Sequence, residues 1–173
     1  MEGKSKYKFS WDLIGDLDLG RPNLGRSARL EVYRLMQFCV RDVLEQNVGS
    51  DKADKFFYEA GKLAGCQFYQ HVLDRSADFA DFVKQVQNTL REMGIGVFRV
   101  EHADAKNENF VFTVSEDLDC SGLPELGYEI CTYDEGFIAG LMESYTGKRF
   151  SVKEVDCWCT GERTCRFTAK VDA

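Results

Sequence analysis

The segment that most constrains this chain is residues 154–167, EVDCWCTGERTCRF, in which cysteines flank a glycine. Cys157 and Cys165 lie equally far from Gly161. A hairpin turning at this glycine would therefore place the two thiols opposite one another, within reach of one ion. The flanking residues, 149–158 and 164–171, are predicted to be its antiparallel strands. The pattern indicates a β-hairpin that carries a thiolate metal site.

Two further ligands would complete such a site. Glu154 has the opposite strand parity to Cys157, so a bulge or twist must bring its carboxylate round to the same side. The third thiolate is expected from Cys131, at the start of a predicted helix, and Cys159 is the reserve ligand. Three thiolates and one carboxylate form a closed four-coordinate site that suits zinc. Spacing alone leaves open the alternative that these cysteines are small buried core residues.

Composition narrows the class of protein. With 173 residues, 44% of them apolar, the chain is long enough for one domain with a core. Its net charge of −7 argues against binding to nucleic acid or to an anionic membrane surface. No apolar run has the length of a membrane helix, and residues 1–11 lack the apolar stretch of a signal peptide. We therefore expect a cytoplasmic protein whose seven cysteines serve as metal ligands or buried thiols.

The change of hydrophobic period along the chain predicts an α+β fold, with helices packed on one face of an antiparallel sheet. Residues 1–28 are expected to form an N-terminal arm and residues 29–173 a single ligand-binding domain. Gly61 and Gly65, on one side of a predicted helix, indicate close approach of another element. Together with the arm they are candidates for a dimer surface. Predicted helices span residues 30–46, 50–73, 76–93 and 133–145, with the second and third capped by Ser50 and Ser76, and predicted strands span residues 97–102, 109–115, 149–158 and 164–171.

The aromatic share of 13% is enough to line a cavity as well as fill a core. Core packing is the alternative for each residue taken singly. His71 and His102 are expected at the surface, with His102 a weaker candidate for contact with a polar ligand or a haem iron. The acidic residues Asp117, Asp119 and Glu125 are most simply a solvated loop. The residues expected to contact a ligand are Phe98, Phe112, Val114, Tyr133, Phe137 and Leu141.

The spacing Cys131-x4-Gly136-x3-Gly140-x6-Gly147-x6-Glu154-x2-Cys157-x3-Gly161-x3-Cys165-x-Phe167 resembles the 4-vinyl reductase domain. More closely, it is similar to the sensory domain of phenol- and xylene-responsive bacterial activators. That resemblance implies zinc held by Cys131, Glu154, Cys157 and Cys165. It also implies a helical layer on an antiparallel sheet, usually dimeric, as in a vesicle-tethering TRAPP subunit and, more distantly, haem nitric-oxide sensors. Residues 109–115 lack the tryptophan that helps hold phenol in those sensors, which argues against phenol as the ligand and leaves open a larger apolar or tetrapyrrole-like molecule.

The expected function is a zinc-containing module that binds or senses a hydrophobic small molecule, acting as a homodimer through a protein partner. One alternative is an enzyme or accessory protein in the reduction of a tetrapyrrole vinyl group. A closed metal site and the missing Gly-x-Gly-x-x-Gly fingerprint for a nicotinamide cofactor weigh against it, although whether a reaction is catalysed stays open. The other alternative is a dimeric assembly factor without a ligand.

Overall fold

The computed structural model describes residues 6–104 and 106–172. The described chain contains five helices and four strands. It also contains two short 3-10 turns, Trp11–Ile14 near one end and Trp158–Thr160 near the other. None of the described helices is both long and apolar enough to cross a membrane. The helices are α1 (Leu17–Gly20), α2 (Leu30–Val48), α3 (Ser50–Val72), α4 (Phe79–Glu92) and α5 (Thr132–Thr146), and the strands are β1 (Val97–Asp104), β2 (Asn109–Ser115), β3 (Phe150–Asp156) and β4 (Cys165–Val171).

The four strands form one antiparallel sheet in the order β1-β2-β4-β3. Side chains alternate between buried and accessible along β3 and β4, as expected for a sheet with one face covered by helices. The central strand β2 contributes Phe110 and Phe112, whose rings stack at a centroid distance of 6.0 Å within the core. The predicted α+β class, with helices packed on an antiparallel sheet, is confirmed.

Four glycines let helices α3 and α5 pack backbone against backbone. A Cβ built on Gly61 lies 1.9 Å from the Tyr133 carbonyl oxygen, and one built on Gly136 lies 2.0 Å from the Tyr58 carbonyl oxygen. Gly65 and Gly140 meet the partner helix in the same way. The expected close approach at Gly61 and Gly65 is thus confirmed. The expectation that this face joins two copies of the chain is wrong, because α5 of the same chain covers it.

Helix α2 packs on the domain through polar side chains and through Phe38, which contacts the core. Arg34 donates to the carbonyl oxygens of Leu118 and Ser121, and Gln37 donates to the Asp119 carboxylate at 2.7 Å. No side chain of α2, which lies wholly within the described residues, is fully buried. Several apolar side chains of this helix point to solvent, among them Met36 at 60% exposure. The hydrophobic pattern located the helix but not the direction in which its apolar face points.

Two helix starts differ from the sequence prediction. Helix α4 begins after Asp78, whose Oδ1 accepts the Asp81 N–H, because Ser76 is held in the preceding turn by Asp74. Ser50 is the first residue of α3 and not its cap. At the other end of the chain, Gly147 closes α5 in the left-handed conformation (φ 75°), as predicted.

Candidate metal centre and ligand pocket

Four buried cysteines from four different segments meet beneath the helical layer. Cys120 lies in the loop after β2, Cys131 caps the N-terminus of α5, Cys157 follows β3, and Cys165 begins β4. Each is at most 1% exposed, and all four Sγ atoms lie within 4.8 Å of one another. This is a closed donor set of the size that a tetrahedral thiophilic cation requires.

The final hairpin brings two of these thiols together through a bulge. The β3–β4 register shifts between Glu154 and Asp156, so that Glu154 and Cys157 both point into the core despite their opposite parity. Thr160 locks the turn, because its Oγ1 accepts the Cys157 N–H at 3.2 Å and donates to the Cys157 carbonyl at 2.9 Å. Gly161 then reverses the chain at φ 99°, a left-handed value that favours glycine.

The loop that carries Cys120 is held by buried carboxylates. Asp117 Oδ1 accepts the backbone N–H groups of Asp119 and Cys120, at 2.7 and 3.1 Å. The Asp119 carboxylate in turn accepts the Tyr33 hydroxyl at 2.7 Å. Because Asp117 and Asp119 are only 4% and 3% exposed, the expectation that they form a solvated loop is wrong. Trp158 completes the support by donating its indole N–H to the Leu123 carbonyl.

Two sulfur separations match those around a tetrahedral zinc ion, and a third is shorter. Zinc–sulfur bonds of about 2.3 Å place tetrahedral sulfurs roughly 3.8 Å apart. Cys131 Sγ lies 3.9 Å from both Cys157 Sγ and Cys165 Sγ, while Cys120 Sγ and Cys165 Sγ are closer, at 3.1 Å. The cluster is therefore one that could bind a metal ion.

The protonation pattern of the cluster also suits a cation. Hydrogen bonds from the Cys120, Cys131 and Cys165 thiols lower the pKa of Cys157. The pKa values of Cys131 and Cys165 are raised, first by their hydrogen bonds to Cys120. A divalent cation that binds there would therefore displace protons from these thiols.

Glu154 lies beside the sulfur cluster. Its carboxylate is 2% exposed, Oε2 accepts the Cys131 N–H at 3.1 Å, and Oε1 has no partner among the described residues. Burial raises the pKa of Glu154 to about 9. The backbone around it is fixed by Glu135, whose Oε1 accepts the Glu154 N–H at 2.8 Å. The structure thus places this carboxylate against the site without making it part of the four-sulfur group.

Three of the four sequence-predicted ligands, Cys131, Cys157 and Cys165, come together as expected from the spacing. Cys120 was not predicted as a ligand, because it lies in an irregular loop that is not paired in register with the hairpin. The reserve candidate Cys159 is buried but outside the four-sulfur group. That Glu154 is itself a ligand stays a prediction.

An apolar pocket of about 430 Å³ lies beside α5. Trp11 of the N-terminal segment closes one wall and stacks on His71 with ring centroids 4.8 Å apart. Tyr133 and Phe137 line this pocket, and their contact with a ligand stays a prediction. The remaining lining residues are Phe9, Ile14, Ala60, Leu63, Ala64, Gln67, Phe68 and Ile95.

The other four residues expected to contact a ligand lie in the core. Phe98, Phe112, Val114 and Leu141 are each at most 6% exposed, and the Phe98 and Phe112 rings stack at 5.2 Å. Their contact with a ligand stays a prediction. His102 is exposed on β1. The described residues thus form an apolar pocket under the N-terminal segment.

The segment from β2 to β4 carries all four clustered cysteines and the whole final hairpin. Residues 110–171 match the 4-vinyl reductase domain. This match confirms the resemblance predicted from the cysteine and glycine spacing. Over a longer stretch, the chain is 28% identical across 149 residues to an uncharacterized protein of Methanocaldococcus jannaschii, covering 86% of this chain and 81% of that one.

Solved structures share the fold around the 4-vinyl reductase segment. The phenol-responsive sensory domain of the transcription activator PoxR, solved with phenol, superposes with a TM-score of 0.62 at 15% identity, covering 77% of this chain and 71% of that one. A vinyl-4-reductase family protein from Methanocaldococcus jannaschii gives 0.59 at 17% identity, covering 86% and 85%. A trafficking protein particle complex subunit 3 from Naegleria fowleri gives 0.57 at 14% identity, covering 83% and 97%. At these identities the likeness establishes the fold alone.

Proposed function

We propose that this chain is a ligand-binding module that senses an apolar or aromatic small molecule and passes the signal to a protein partner. The observation that carries the proposal is the 430 Å³ pocket between the N-terminal segment, α3 and α5. Its volume lies within the range of small-molecule sites, and its walls are mainly apolar and aromatic. The phenol-bound sensory domain of PoxR, which has the same fold, supports the same assignment.

The pocket suits a ligand that is recognised mainly through its buried area. Gln67, the Tyr133 hydroxyl and the Trp11 indole N–H are the side-chain polar groups among its lining residues. Burial raises the pKa of Tyr133 to about 12, so the hydroxyl stays neutral and can donate a hydrogen bond. An aromatic ligand that buries about 200 Å² would gain roughly 5 kcal/mol before entropic losses, which supports micromolar affinity at best.

The cysteine cluster is proposed to hold one structural zinc ion through Cys120, Cys131, Cys157 and Cys165. When bound, zinc supplies a rigid cross-link among four chain segments and leaves no open coordination position for substrate. Cys131 begins α5, the helix that also carries Tyr133 and Phe137. The metal would therefore fix the end of the helix that forms the pocket floor. Glu154 would hold the Cys131 backbone N–H.

Filling the pocket is expected to abolish ligand binding. Ala64→Trp places an indole ring among the lining residues, and we expect at least a tenfold loss of affinity for anilinonaphthalene sulfonate and for the best binder among alkylbenzenes, phenols, fatty acids and porphyrins. Ala80→Trp, at an exposed position on α4, adds the same ring outside the pocket and is the matched control. Fluorescence titration and calorimetry provide the affinities. If no compound binds the wild-type chain, the sensing proposal fails and the assembly-factor alternative becomes the better one.

The two possible zinc ligand sets give different mutant phenotypes. Cys120→Ser is expected to weaken zinc binding by at least tenfold, because the hydroxyl is a much poorer zinc ligand than a thiolate. Glu154→Gln is expected to retain one zinc per chain, since the amide oxygen can still accept the Cys131 N–H. Competition with a chelator of known zinc affinity measures both. The opposite result, with zinc lost in Glu154→Gln and kept in Cys120→Ser, would assign the fourth position to Glu154.

A further inference from the structure

Two acidic residues stand three positions away from cysteines of the four-sulfur group. Asp117 precedes Cys120 by three residues, and Asp134 follows Cys131 by three. Cys131 is the N-cap of α5 and Asp134 lies in its first turn, so both side chains are at the start of that helix. One donor atom from each of Asp117, Cys131 and Asp134 lies within 4.8 Å of the other two. Cys131 thus belongs both to the four-sulfur group and to this second set of two carboxylates and one thiol.

The Asp134 carboxylate lacks a partner within this second set. Its Oδ2 is shielded from solvent and accepts no hydrogen bond from any described residue. None of the described lysine, arginine or histidine side chains forms an ion pair with Asp117 or Asp134. A buried carboxylate oxygen with neither a hydrogen bond nor a cation is unfavourable, and a metal ion is a partner that would satisfy it.

A zinc ion in the four-sulfur group would not balance the charge of these carboxylates. Four thiolates around one divalent cation already leave an excess of negative charge. Asp117 and Asp134 add to that excess from one side. Glu154, whose Oε1 also has no partner among the described residues, adds to it from the hairpin. The buried negative charge therefore exceeds what one zinc ion neutralises, and a second cation would reduce it.

We propose that Asp117 and Asp134, with the Cys131 thiolate as a bridge, bind a second divalent transition-metal ion beside the zinc of the four-sulfur group. This inference rests on the proposed zinc site, because Cys131 is shared. Mixed oxygen and sulfur ligands suit a cation such as Zn²⁺, Co²⁺ or Fe²⁺, and do not suit Mg²⁺ or Ca²⁺, which prefer oxygen ligands alone. Three protein ligands leave a coordination position open for water or for an exchangeable ligand.

A surface cleft gives this second ion a path from solvent. The cleft has a volume of about 530 Å³, and Asp117, Ser121 and Trp158 are among its lining residues. The four-sulfur group, by contrast, is closed, with each cysteine at most 1% exposed. The second ion is therefore expected to exchange faster and bind more weakly than the zinc. The purified chain should retain one zinc ion and take up the second cation when it is added.

Equilibrium dialysis of the zinc-loaded chain against Co²⁺ tests the second site. We expect one cobalt ion per chain in addition to the retained zinc. Cobalt binding should be at least tenfold weaker in Asp134→Asn and in Asp117→Asn, because a neutral amide is a poorer ligand than a carboxylate. Glu116→Gln, which removes an exposed carboxylate next to Asp117, is the matched control and should bind cobalt like the wild type. Metal analysis of each variant should find the zinc retained, which shows that the four-sulfur group is intact.

Absorption spectroscopy tests the Cys131 bridge. Cobalt bound through a thiolate gives an intense charge-transfer band in the near ultraviolet, whereas cobalt bound by carboxylates alone does not. We expect this band to appear as the wild type takes up cobalt with its zinc content unchanged. A chain that retains one zinc ion and binds no cobalt at millimolar concentration would overturn the second site alone, with protons then balancing the buried carboxylates. Cobalt uptake without the band, or undiminished uptake by both Asp→Asn variants, would also overturn it. A chain that binds neither metal would overturn this inference together with the proposed zinc site.

Discussion

Replacement of Cys165 by serine is expected to abolish tight zinc binding and to lower the free energy of unfolding by about 3–5 kcal/mol. The reason is the burial of the cluster. Without a bound cation, thiols from four segments and the Glu154 carboxyl would remain together in the core with incomplete hydrogen bonding. The Cys165 thiol lies 3.1 Å from Cys120 Sγ and 3.9 Å from Cys131 Sγ. Its loss therefore removes a sulfur that neighbours two of the other three.

Urea denaturation with and without a strong chelator measures this effect. Chelation should destabilise the wild type by an amount similar to the substitution and should change the stability of Cys165→Ser little. Cys39→Ser, which removes an exposed thiol, is the control and should leave both the zinc content and the stability unchanged. If chelator does not alter the wild-type transition, the four cysteines are core residues and the proposed zinc site is wrong.

Gly61→Ala is expected to cost about 3 kcal/mol of stability or more, near the upper end of overpacking effects. The new methyl group would lie 1.9 Å from the Tyr133 carbonyl oxygen, so one helix backbone has to move. Tyr133 lies in the first turn of α5, two residues after Cys131, and therefore the displacement should also weaken zinc binding. Gly65→Ala clashes a turn further along, against the Phe137 carbonyl, and should affect the metal less.

Gly20→Ala is the matched control for this series. A Cβ at Gly20 meets nothing within 4 Å, so its stability should be unchanged or slightly higher. Thermal and urea denaturation of the three variants give the comparison. A Gly61→Ala protein as stable as the wild type would mean that α3 and α5 are not in backbone contact.

The sequence predicted the parts of the fold that local chemistry determines. The strand Asn109–Ser115 and the end of α5 at Gly147 follow from side-chain alternation and from a left-handed glycine. The bulge next to Glu154 was predicted because the parity of Glu154 and Cys157 could not otherwise be reconciled. These features depend on residues close in sequence, and the pattern contains the information needed.

Features that depend on distant contacts were not predictable in this way. Cys120 joins the cluster because Asp117 and Asp119 hold an irregular loop against α2. No periodic pattern of apolar residues in the sequence indicates that arrangement. The outward direction of exposed apolar side chains of α2, such as Leu35 and Met36, is set by side-chain hydrogen bonds of Arg34 and Arg41 to remote backbone and side-chain groups. Phe98 and Phe112, which were expected to contact a ligand, are buried and stack on one another in the core.

Native mass spectrometry of the full chain, purified without added ligand, tests the central claim most directly. The claim is that a thiolate-bound zinc ion supports an apolar ligand pocket. We predict a mass increment of one zinc ion per chain, together with a small organic molecule that is released by activation and is not retained by Ala64→Trp. A chain that carries no metal, leaves all seven thiols open to alkylation after unfolding and retains no small molecule in either form would contradict the account.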